Sequence, residues 1–415
     1  MDRRAFLKTS VGGLFGLWAA NALSLRRAFA VEKLPAKAKA CVVLWMNGGP
    51  SHLETWDLKP DSKLGGKFKP IKTPIDGIEI CEHLPRMAEH AGKLAIVRGM
   101  TSKEGNHDRA QHLMHTGFSP NPTVAYPSLG AWTAEELGDP STDLPAFVSI
   151  GGPSYGAGFL GVEYGPFVVP DPKQPPFNTA YARNVDFARF VRRKTALAAL
   201  EDQFAVETGD AKVKQREQVY AKAVRLMYST RLKAFELDDE SDAVKAAYGA
   251  TDFGRGCLMA RRLVEAGVKF VEVVLDGWDT HKDNFGRTEK LMGALDPAFA
   301  TLLAELDERK LLDSTLVLWM GDFGRTPKIN ENDGRDHHPA AWSAVLAGGG
   351  VRGGFALGKT DGDGDKVVER PTSVADLFAT AATQLGLDPA KEMITPRGRP
   401  ITLTDGGKPI RELIG

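Results

Sequence analysis

Carboxylates, imidazoles and a guanidinium are concentrated in two short stretches of the chain, "DGWDTHKDN" and "GDFGRTPKINENDGRDHHP". Side chains of these types bind divalent cations, transfer protons or hold anions. The first stretch predicts a functional site, because an acidic turn does not require a histidine among its acids. The second stretch predicts either a site or a solvated loop with a salt bridge. The candidates are Asp276, Asp279, His281, Asp322, Arg325, Asp336, His337 and His338.

Both stretches directly follow apolar runs that predict buried strands, at residues 268–275 and 315–320. Continuous apolar runs are typical of parallel strands that helices cover on both faces. Because ligands bind outside the carboxyl ends of such strands, the polar stretches are expected to meet at one sheet edge. Further strands are predicted at residues 40–46, 94–97, 145–150 and 342–346.

Two other predicted strands also end in polar residues. After the strand at 40–46, Ser51 and Glu54 have the spacing of a helix capping box, and a functional role is the alternative. After the strand at 94–97, a helix is predicted over 108–115, with His107, Asp108 and Arg109 at its N-terminal turn, where an anion is favoured.

Composition narrows the class of protein. The chain has 415 residues with no formal net charge, and without residues 1–30 it has 48 basic and 52 acidic residues, a net charge of −4. Such a surface does not indicate a nucleic-acid partner. Three cysteines without CxxC spacing provide no disulfide framework.

The first 30 residues have the pattern of an export signal. "MDRRAFLKTS" resembles a twin-arginine motif, a modest apolar segment follows, and "AFA" at 28–30 suits cleavage before Val31. The apolar segment is shorter than the about 20 residues that cross a bilayer, so no transmembrane anchor is expected. The sequence therefore predicts export by the twin-arginine machinery to the periplasm or cell envelope.

Residues 31–415 are expected to form a single α/β domain with a helical insertion at about 180–250. The insertion is predicted because its composition changes to Ala, Leu, Lys, Arg, Glu and Gln with apolar residues at helical spacing. Helices are also predicted over residues 253–266 and 372–385.

The motifs together resemble a large family of exported bacterial proteins, domain-of-unknown-function family 1501. The resemblance rests on the leader, "NGGPSHLETWDLKP", "HDRAQHLMHTG", "ARRLVEAGVKFVEVVLDGWDTH", "GDFGRTP" and "GRDHHP", and covers nearly the whole mature chain. That family is similar in turn to the alkaline phosphatase and sulfatase superfamily. The implied fold is a three-layer α/β/α sandwich around a mostly parallel sheet.

The superfamily resemblance also implies site residues, with departures. Phe323 stands where a second imidazole ligand would be and Asn47 replaces an acid, so one metal ion is expected rather than two. Asp108, Thr101 and Ser102 remain open as nucleophiles, and Arg109 or Arg325 would orient an anion. The implied ligands of a divalent cation, Zn²⁺, Mn²⁺ or Ca²⁺, are Asp276, Asp279, His281, Asp322 and His337.

The resulting hypothesis is a metal-dependent hydrolase of sulfate or phosphate esters, acting on a small molecule or a saccharide in the cell envelope. The alternative is a catalytically degenerate exported protein that keeps the fold and binds a glycan or a protein partner.

Overall fold

The fold is built around one large sheet. A computed structural model describes residues 36–208 and 211–415, so the predicted signal at 1–30 lies outside the described residues. The strands are β1 Ala40–Asn47, β2 Pro70–Lys72, β3 Glu79–Cys81, β4 Leu94–Met100, β5 Phe147–Ile150, β6 Phe167–Val169, β7 Phe270–Asp276, β8 Thr315–Gly321, β9 Gly324–Ile329, β10 Arg335–His338, β11 Trp342–Ala347, β12 Phe355–Leu357, β13 Lys359–Thr360, β14 Val367–Glu369, β15 Glu392–Ile394 and β16 Pro400–Thr402.

Eight strands form the central sheet in the order β12-β4-β11-β8-β1-β7-β5-β6. β11 is antiparallel to both of its neighbours, and the other pairs in this sheet are parallel. The mostly parallel sheet predicted from the apolar runs is confirmed.

Both faces of the sheet are buried, as the continuous apolar runs require. In β1, Val42 and Leu44 face one core and Val43 and Trp45 face the other. A strand with two covered faces needs apolar residues at consecutive positions, because successive side chains point to opposite sides.

Helices form the two outer layers. They are α1 Pro85–Glu89, α2 His107–Thr116, α3 Leu129–Leu137, α4 Phe187–Thr208, α5 Ala211–Met227, α6 Asp242–Ala247, α7 Asp252–Glu265, α8 Asn284–Glu308 and α9 Val374–Gln384. The first core contains residues of α1, α7 and α8, and the second contains residues of α2, α3 and α9. The fold is therefore the expected three-layer α/β/α sandwich.

The segment predicted as a helical insertion contains α4, α5 and α6. An ion pair of 2.8 Å between Glu201 of α4 and Arg216 of α5 connects the first two helices. In the described part of the chain, no helix is both long enough and apolar enough to cross a membrane.

Two local expectations differ from the structure. The capping box at Ser51 is absent, because His52–Glu54 forms one 3-10 turn without a side-chain cap, and Glu54 instead binds Arg335. Residues 324–338 form the antiparallel β9–β10 hairpin rather than a loop.

Candidate metal centre

The carboxyl ends of three adjacent strands form the base of the site. Asn47 of β1 lies opposite Asp276 of β7, and Met46 lies opposite Gly321 of β8. Gly48 follows β1 with a φ of 109°, and a Cβ there would overlap the backbone nitrogen of Asp279. Glycine therefore lets the β7 loop approach β1 closely.

The β9–β10 hairpin brings His337 to this edge. Its anchor is Arg335, whose side chain is fully buried and binds the buried carboxylate of Glu54 at 2.6 Å. The same guanidinium donates to the carbonyl oxygens of Thr326 and Leu64 at 2.9 and 3.0 Å. A buried arginine with these partners fixes the hairpin, and with it the next residues Asp336 and His337.

Helix α2 supplies a third imidazole. It starts at His107, after Asn106, whose side-chain oxygen caps the helix by accepting from the backbone N–H of Arg109 at 3.3 Å. Because the helix follows β4, its first residue lies at the same edge of the sheet as the other loops.

One carboxylate oxygen is the centre of the cluster. The Oδ1 atom of Asp279 lies 3.3 Å from Nε2 of His107, 3.2 Å from Nε2 of His281 and 3.3 Å from Nε2 of His337. The Nε2 atoms of His281 and His337 lie 2.8 Å apart. Ligand atoms of His107, Asp279 and His337 all lie within 4.8 Å of one another.

Each imidazole has an oxygen acceptor at its other nitrogen. The Nδ1 atom of His107 lies 2.5 Å from Oδ2 of Asp322, and that of His281 lies 2.7 Å from Oδ1 of Asp336. The third, Nδ1 of His337, lies 2.8 Å from the carbonyl oxygen of Gly105. These acceptors fix the proton on Nδ1 and leave the Nε2 lone pair directed at Asp279, the arrangement found in metal-binding histidines.

Arg325 stabilises the ionised form of Asp279. Its guanidinium is fully buried, donates to Oδ1 of Asp279 at 2.7 Å, and also donates to the backbone carbonyls of Gly48 and Gly49. Burial by itself raises the pKa of Asp279, but the Arg325 hydrogen bond and the nearby positive charges lower it to about 2. Asp279 is therefore a carboxylate at neutral pH.

The histidine environments differ. The hydrogen bond to Asp322 raises the pKa of His107 above its ordinary value, whereas burial lowers the pKa of His337. The hydrogen bond with His281 lowers the pKa of Asp336. Two imidazoles with opposed lone pairs at 2.8 Å need a shared proton or a cation between them, so this part of the cluster favours a bound positive charge.

The donor set fits a transition-metal ion. Three imidazole nitrogens and a carboxylate oxygen are typical zinc ligands, at about 2.0–2.1 Å from the metal. A tetrahedron with such bonds has edges of about 3.3 Å, which match the three distances from Asp279 to the imidazoles. The Nε2 atoms of His281 and His337 are closer than this, at 2.8 Å, and His281 is not in the group whose ligand atoms all lie within 4.8 Å of one another. The exposed fractions of the Asp279 and His281 side chains, 44% and 41%, leave one side of the cluster open to solvent.

The predicted ligands have different positions relative to this centre. Asp279, His281 and His337 lie in it. Asp322 lies one contact away and orients His107, while its Oδ1 atom accepts from the backbone N–H of Gly48 at 3.4 Å. Asp276 instead accepts from Asn47 at 2.9 Å and from the backbone N–H of Gly277 at 2.8 Å, and it contacts none of the three imidazoles.

Of the three residues predicted to be catalytic, Arg325 contacts the cluster, and Asp108 and Arg109 do not. Arg325 contacts it directly, but its N–H groups are occupied by Asp279 and by backbone carbonyls. Arg109 forms a two-pronged ion pair with Glu104 at 2.6 and 2.7 Å. Asp108 is exposed next to it. Neither Asp108 nor Arg109 has a side-chain contact with a residue of the cluster.

His107 is the candidate ligand that the sequence patterns did not identify. It was expected only as part of an anion-binding helix turn. Its position directly after a strand end at the same sheet edge was the available signal. Phe323, at the position expected of a second imidazole, is buried and packs against the rings of His107 and His337 with centroids 4.9 and 4.6 Å apart.

Comparison with known proteins identifies the family. The family model described as protein of unknown function (DUF1501) matches residues 38–414. The chain belongs to this family. The curated proteins contain no match. The family assignment expected from the motifs is thus confirmed, and it brings no described activity with it.

Solved structures with a distant similarity to this DUF1501 chain include three from bacteria. The sulfatase PsFucS1 from Pseudoalteromonas sp. is 14% identical over 93% of this chain and 72% of its own, with a TM-score of 0.37. A protein in the alkaline phosphatase superfamily from Vibrio parahaemolyticus is 13% identical over 86% and 71%, with a TM-score of 0.37. The periplasmic domain of EcEptC from Escherichia coli, in complex with Zn, is 10% identical over 92% and 96%, with a TM-score of 0.36.

Proposed function

We propose that this protein is a metal-dependent hydrolase of sulfate or phosphate esters that binds one divalent cation at the edge of its sheet. The observation that supports this proposal is the convergence of three imidazole Nε2 atoms on Oδ1 of Asp279, at 3.2 to 3.3 Å. The ligands would be His107, His281, His337 and Asp279.

The donor types favour particular ions. Imidazole suits Zn²⁺ and other transition metals, whereas Ca²⁺ and Mg²⁺ prefer sites made of oxygen ligands alone. Three nitrogens and one oxygen therefore favour Zn²⁺, then Mn²⁺, over Ca²⁺. When bound, such an ion acts as a Lewis acid and lowers the pKa of a coordinated water to about 7.

The chain's own residues prepare the site for that ion. Asp322, Asp336 and the Gly105 carbonyl hold the three Nδ1 protons, so the imidazoles need no rearrangement to present their lone pairs. Arg325 keeps Asp279 ionised and fixes its orientation. The exposed sides of Asp279 and His281 provide the path by which an ester could enter.

No side-chain nucleophile is needed in this proposal. Among the described residues, no Ser, Thr or Cys side chain has a hydrogen bond to the four proposed ligands, and Asp108 is exposed outside the cluster. Water would therefore attack the sulfur or phosphorus atom and give a proton to a neighbouring carboxylate. The bond from that atom to the ester oxygen would break, and the alcohol would leave with a proton taken from that carboxylate or from solvent. The same observation favours the alternative function, a protein that binds metal and a glycan or protein partner without catalysis.

Export is part of the proposal. The twin-arginine motif at Arg3 and Arg4 lies outside the described residues, and it supports the proposal that the protein is exported to the periplasm or cell envelope. Replacing both arginines with lysine should retain full-length folded protein in the cytoplasm. Unchanged export of that variant would contradict the assignment.

The metal experiment tests the function. The chain without residues 1–30 should bind one Zn²⁺ or Mn²⁺ per molecule, gain thermal stability from it, and hydrolyse aryl sulfates or phosphate esters. A protein that holds no metal and whose melting temperature does not respond to these ions would refute the proposal. A metal-loaded protein that is inactive on sulfate, phosphate and phosphonate esters would favour the binding alternative.

A further inference from the structure

Exposed large apolar side chains are concentrated in one segment, residues 177–228. Phe177 and Phe187 are both 61% exposed, Val191 is 41% exposed, and Leu200 is 64% exposed. Large exposed apolar groups usually mark a binding surface when they occur together rather than singly. Outside this segment, the exposed large apolar side chains of the described residues are Val162, Val368 and Ile394.

The same segment is basic, although the rest of residues 31–415 is acidic. Residues 177–228 contain ten Lys and Arg residues and six Asp and Glu residues, a net charge of +4. Residues 31–176 and 229–415 together have a net charge of −8. The basic residues are densest in the first two turns of α4, at Arg189, Arg192, Arg193 and Lys194.

Helix α4 presents these two features on its solvent side. Its contacts with neighbouring residues include that of Phe190, which packs on Tyr181 with ring centroids 5.3 Å apart, and that of Glu201, which pairs with Arg216. At about 100° per residue, Phe187, Phe190, Val191 and Lys194 share one face of the helix, on which Phe190 is half-buried and the other three are exposed. Arg192 and Arg193 lie on the two flanks of that face.

The basic side chains in these turns are available for a partner. Arg192, Arg193 and Lys194 are exposed and form no ion pair in the part of the chain that the structure describes. Arg189 donates to the backbone carbonyl of Asn184 and has no acidic partner there. Uncompensated cations beside exposed apolar groups match a surface that is anionic outside and apolar beneath.

We propose that the N-terminal half of α4 docks on the surface of an anionic lipid bilayer. Phe187 and Val191 would enter the boundary between headgroups and acyl chains, and Arg192, Arg193 and Lys194 would bind lipid phosphates. The helix would lie on the bilayer rather than cross it, because four cations occur within six residues of its sequence. This inference is independent of the metal centre.

The test is co-sedimentation of the protein lacking residues 1–30 with vesicles. We expect binding to vesicles that contain phosphatidylglycerol, weaker binding as salt is added, and little binding to pure phosphatidylcholine. The variant R192Q/R193Q/K194Q should bind the anionic vesicles about 100-fold more weakly. The variant F187S/V191S should also bind more weakly but keep the salt dependence.

Matched controls distinguish docking through α4 from a general effect of the protein's charge. The variant R397Q/R399Q/K408Q removes the same charge from exposed residues of another region and should leave binding unchanged. Circular dichroism and melting temperature should be unaltered in all three variants. Absence of binding to anionic vesicles at low salt, or binding unaffected by R192Q/R193Q/K194Q, overturns the proposal. A dimer that F187S/V191S abolishes, without vesicle binding, assigns the face to a second copy and also overturns it.

Discussion

Helix α2 contributes histidines to two assemblies that use the same residue types in different ways. At its first residue, His107 joins two imidazoles around Asp279 at the solvent-accessible edge of the sheet. Two turns later, His115 faces Glu272 of β7 at 3.4 Å, where the side chains are only 5% and 2% exposed. The comparison shows which features separate a ligand-binding cluster from a structural ion pair.

The orientation of the ring nitrogens is the first difference. In His115, Nδ1 donates to the carbonyl oxygen of Gln111 at 2.7 Å, and Nε2 faces the Glu272 carboxylate. Both nitrogens thus face acceptors, which suits a charged imidazolium. In the edge cluster each Nδ1 faces its own acceptor, whereas the three Nε2 atoms share one carboxylate oxygen. Three Nε2 atoms directed at one point are the geometry expected of a cation site, whereas one imidazole facing one carboxylate is the geometry of an ion pair.

Closure by neighbouring side chains is the second difference. The His115 ring lies 4.1 Å from the Trp45 ring and stacks on Tyr155 at 4.8 Å, and Ser154 donates to Glu272 at 2.9 Å. No side of this pair is open to a ligand. The two assemblies therefore predict opposite results when a histidine is removed, loss of metal in one and loss of stability in the other.

The largest effect is expected from His281→Ala. This variant removes one of the imidazoles that contact Asp279, so metal affinity should fall by more than the roughly 100-fold typical of outer partners. Calorimetric titration with Zn²⁺ measures the change. His90→Ala, which removes a histidine at the end of α1, is the control and should bind like the unaltered protein. Equal Zn²⁺ affinity in His281→Ala and the unaltered protein would contradict the assignment of His281 to the metal site.

The next effect is a loss of stability in His115→Gln. Removing one partner of a buried pair leaves a buried charge without compensation, which costs about 3–5 kcal/mol. Urea denaturation should show this loss, while the folded variant should bind Zn²⁺ with near-unaltered affinity. A double variant, His115→Leu with Glu272→Leu, should lose less stability than the single one. A large loss of metal affinity in folded His115→Gln would show that the two assemblies are not separate.

A smaller effect is expected from Asp336→Asn. The Asp336 side chain is 54% exposed and its role is to hold the Nδ1 proton of His281 at 2.7 Å. Losing the charge of such an outer partner should weaken Zn²⁺ binding about 10- to 100-fold. Stability should change little because the group is exposed. The control is Asp313→Asn, which changes an exposed acid just before the N-terminal end of β8, at the sheet edge opposite the cluster. Identical affinities in the two variants would remove the assigned role of Asp336.

The sequence predicted the fold more completely than the site, for a physical reason. Strands such as β1 and β8 are continuous apolar runs, and burial on two faces imposes that pattern locally. The expectation that the polar stretches with Asp276, His281, Asp322 and His337 meet at one edge followed from their positions after predicted parallel strands. These inferences depend on residues that are near one another in the chain.

The remaining features depend on distant contacts. The β9–β10 hairpin has no alternating apolar pattern and contains Pro327, so its sequence resembles a loop. It forms a hairpin because Arg335 is bound by Glu54, 281 positions away. His107 is oriented by Asp322, 215 positions away. Local periodicity contains no information about such pairs. For the same reason it does not indicate that His107 belongs to the edge cluster and His115 to a buried ion pair.

The smallest expected effect concerns pH and again distinguishes the assemblies. Burial lowers the pKa of His115, but the charge of Glu272 and its hydrogen bonds outweigh this and raise the pKa above its ordinary value. A raised folded-state pKa adds stability that is fully present below the unfolded value, about 6.5, and is lost as pH rises through the folded value. The stability difference between the unaltered protein and His115→Gln should therefore shrink as pH increases from about 6 to 9. Urea denaturation of both proteins without metal, across that range, measures it. A difference that stays constant or grows with pH would mean that His115 is neutral in the fold, and the distinction between an ion pair and a lone-pair cluster would then fail.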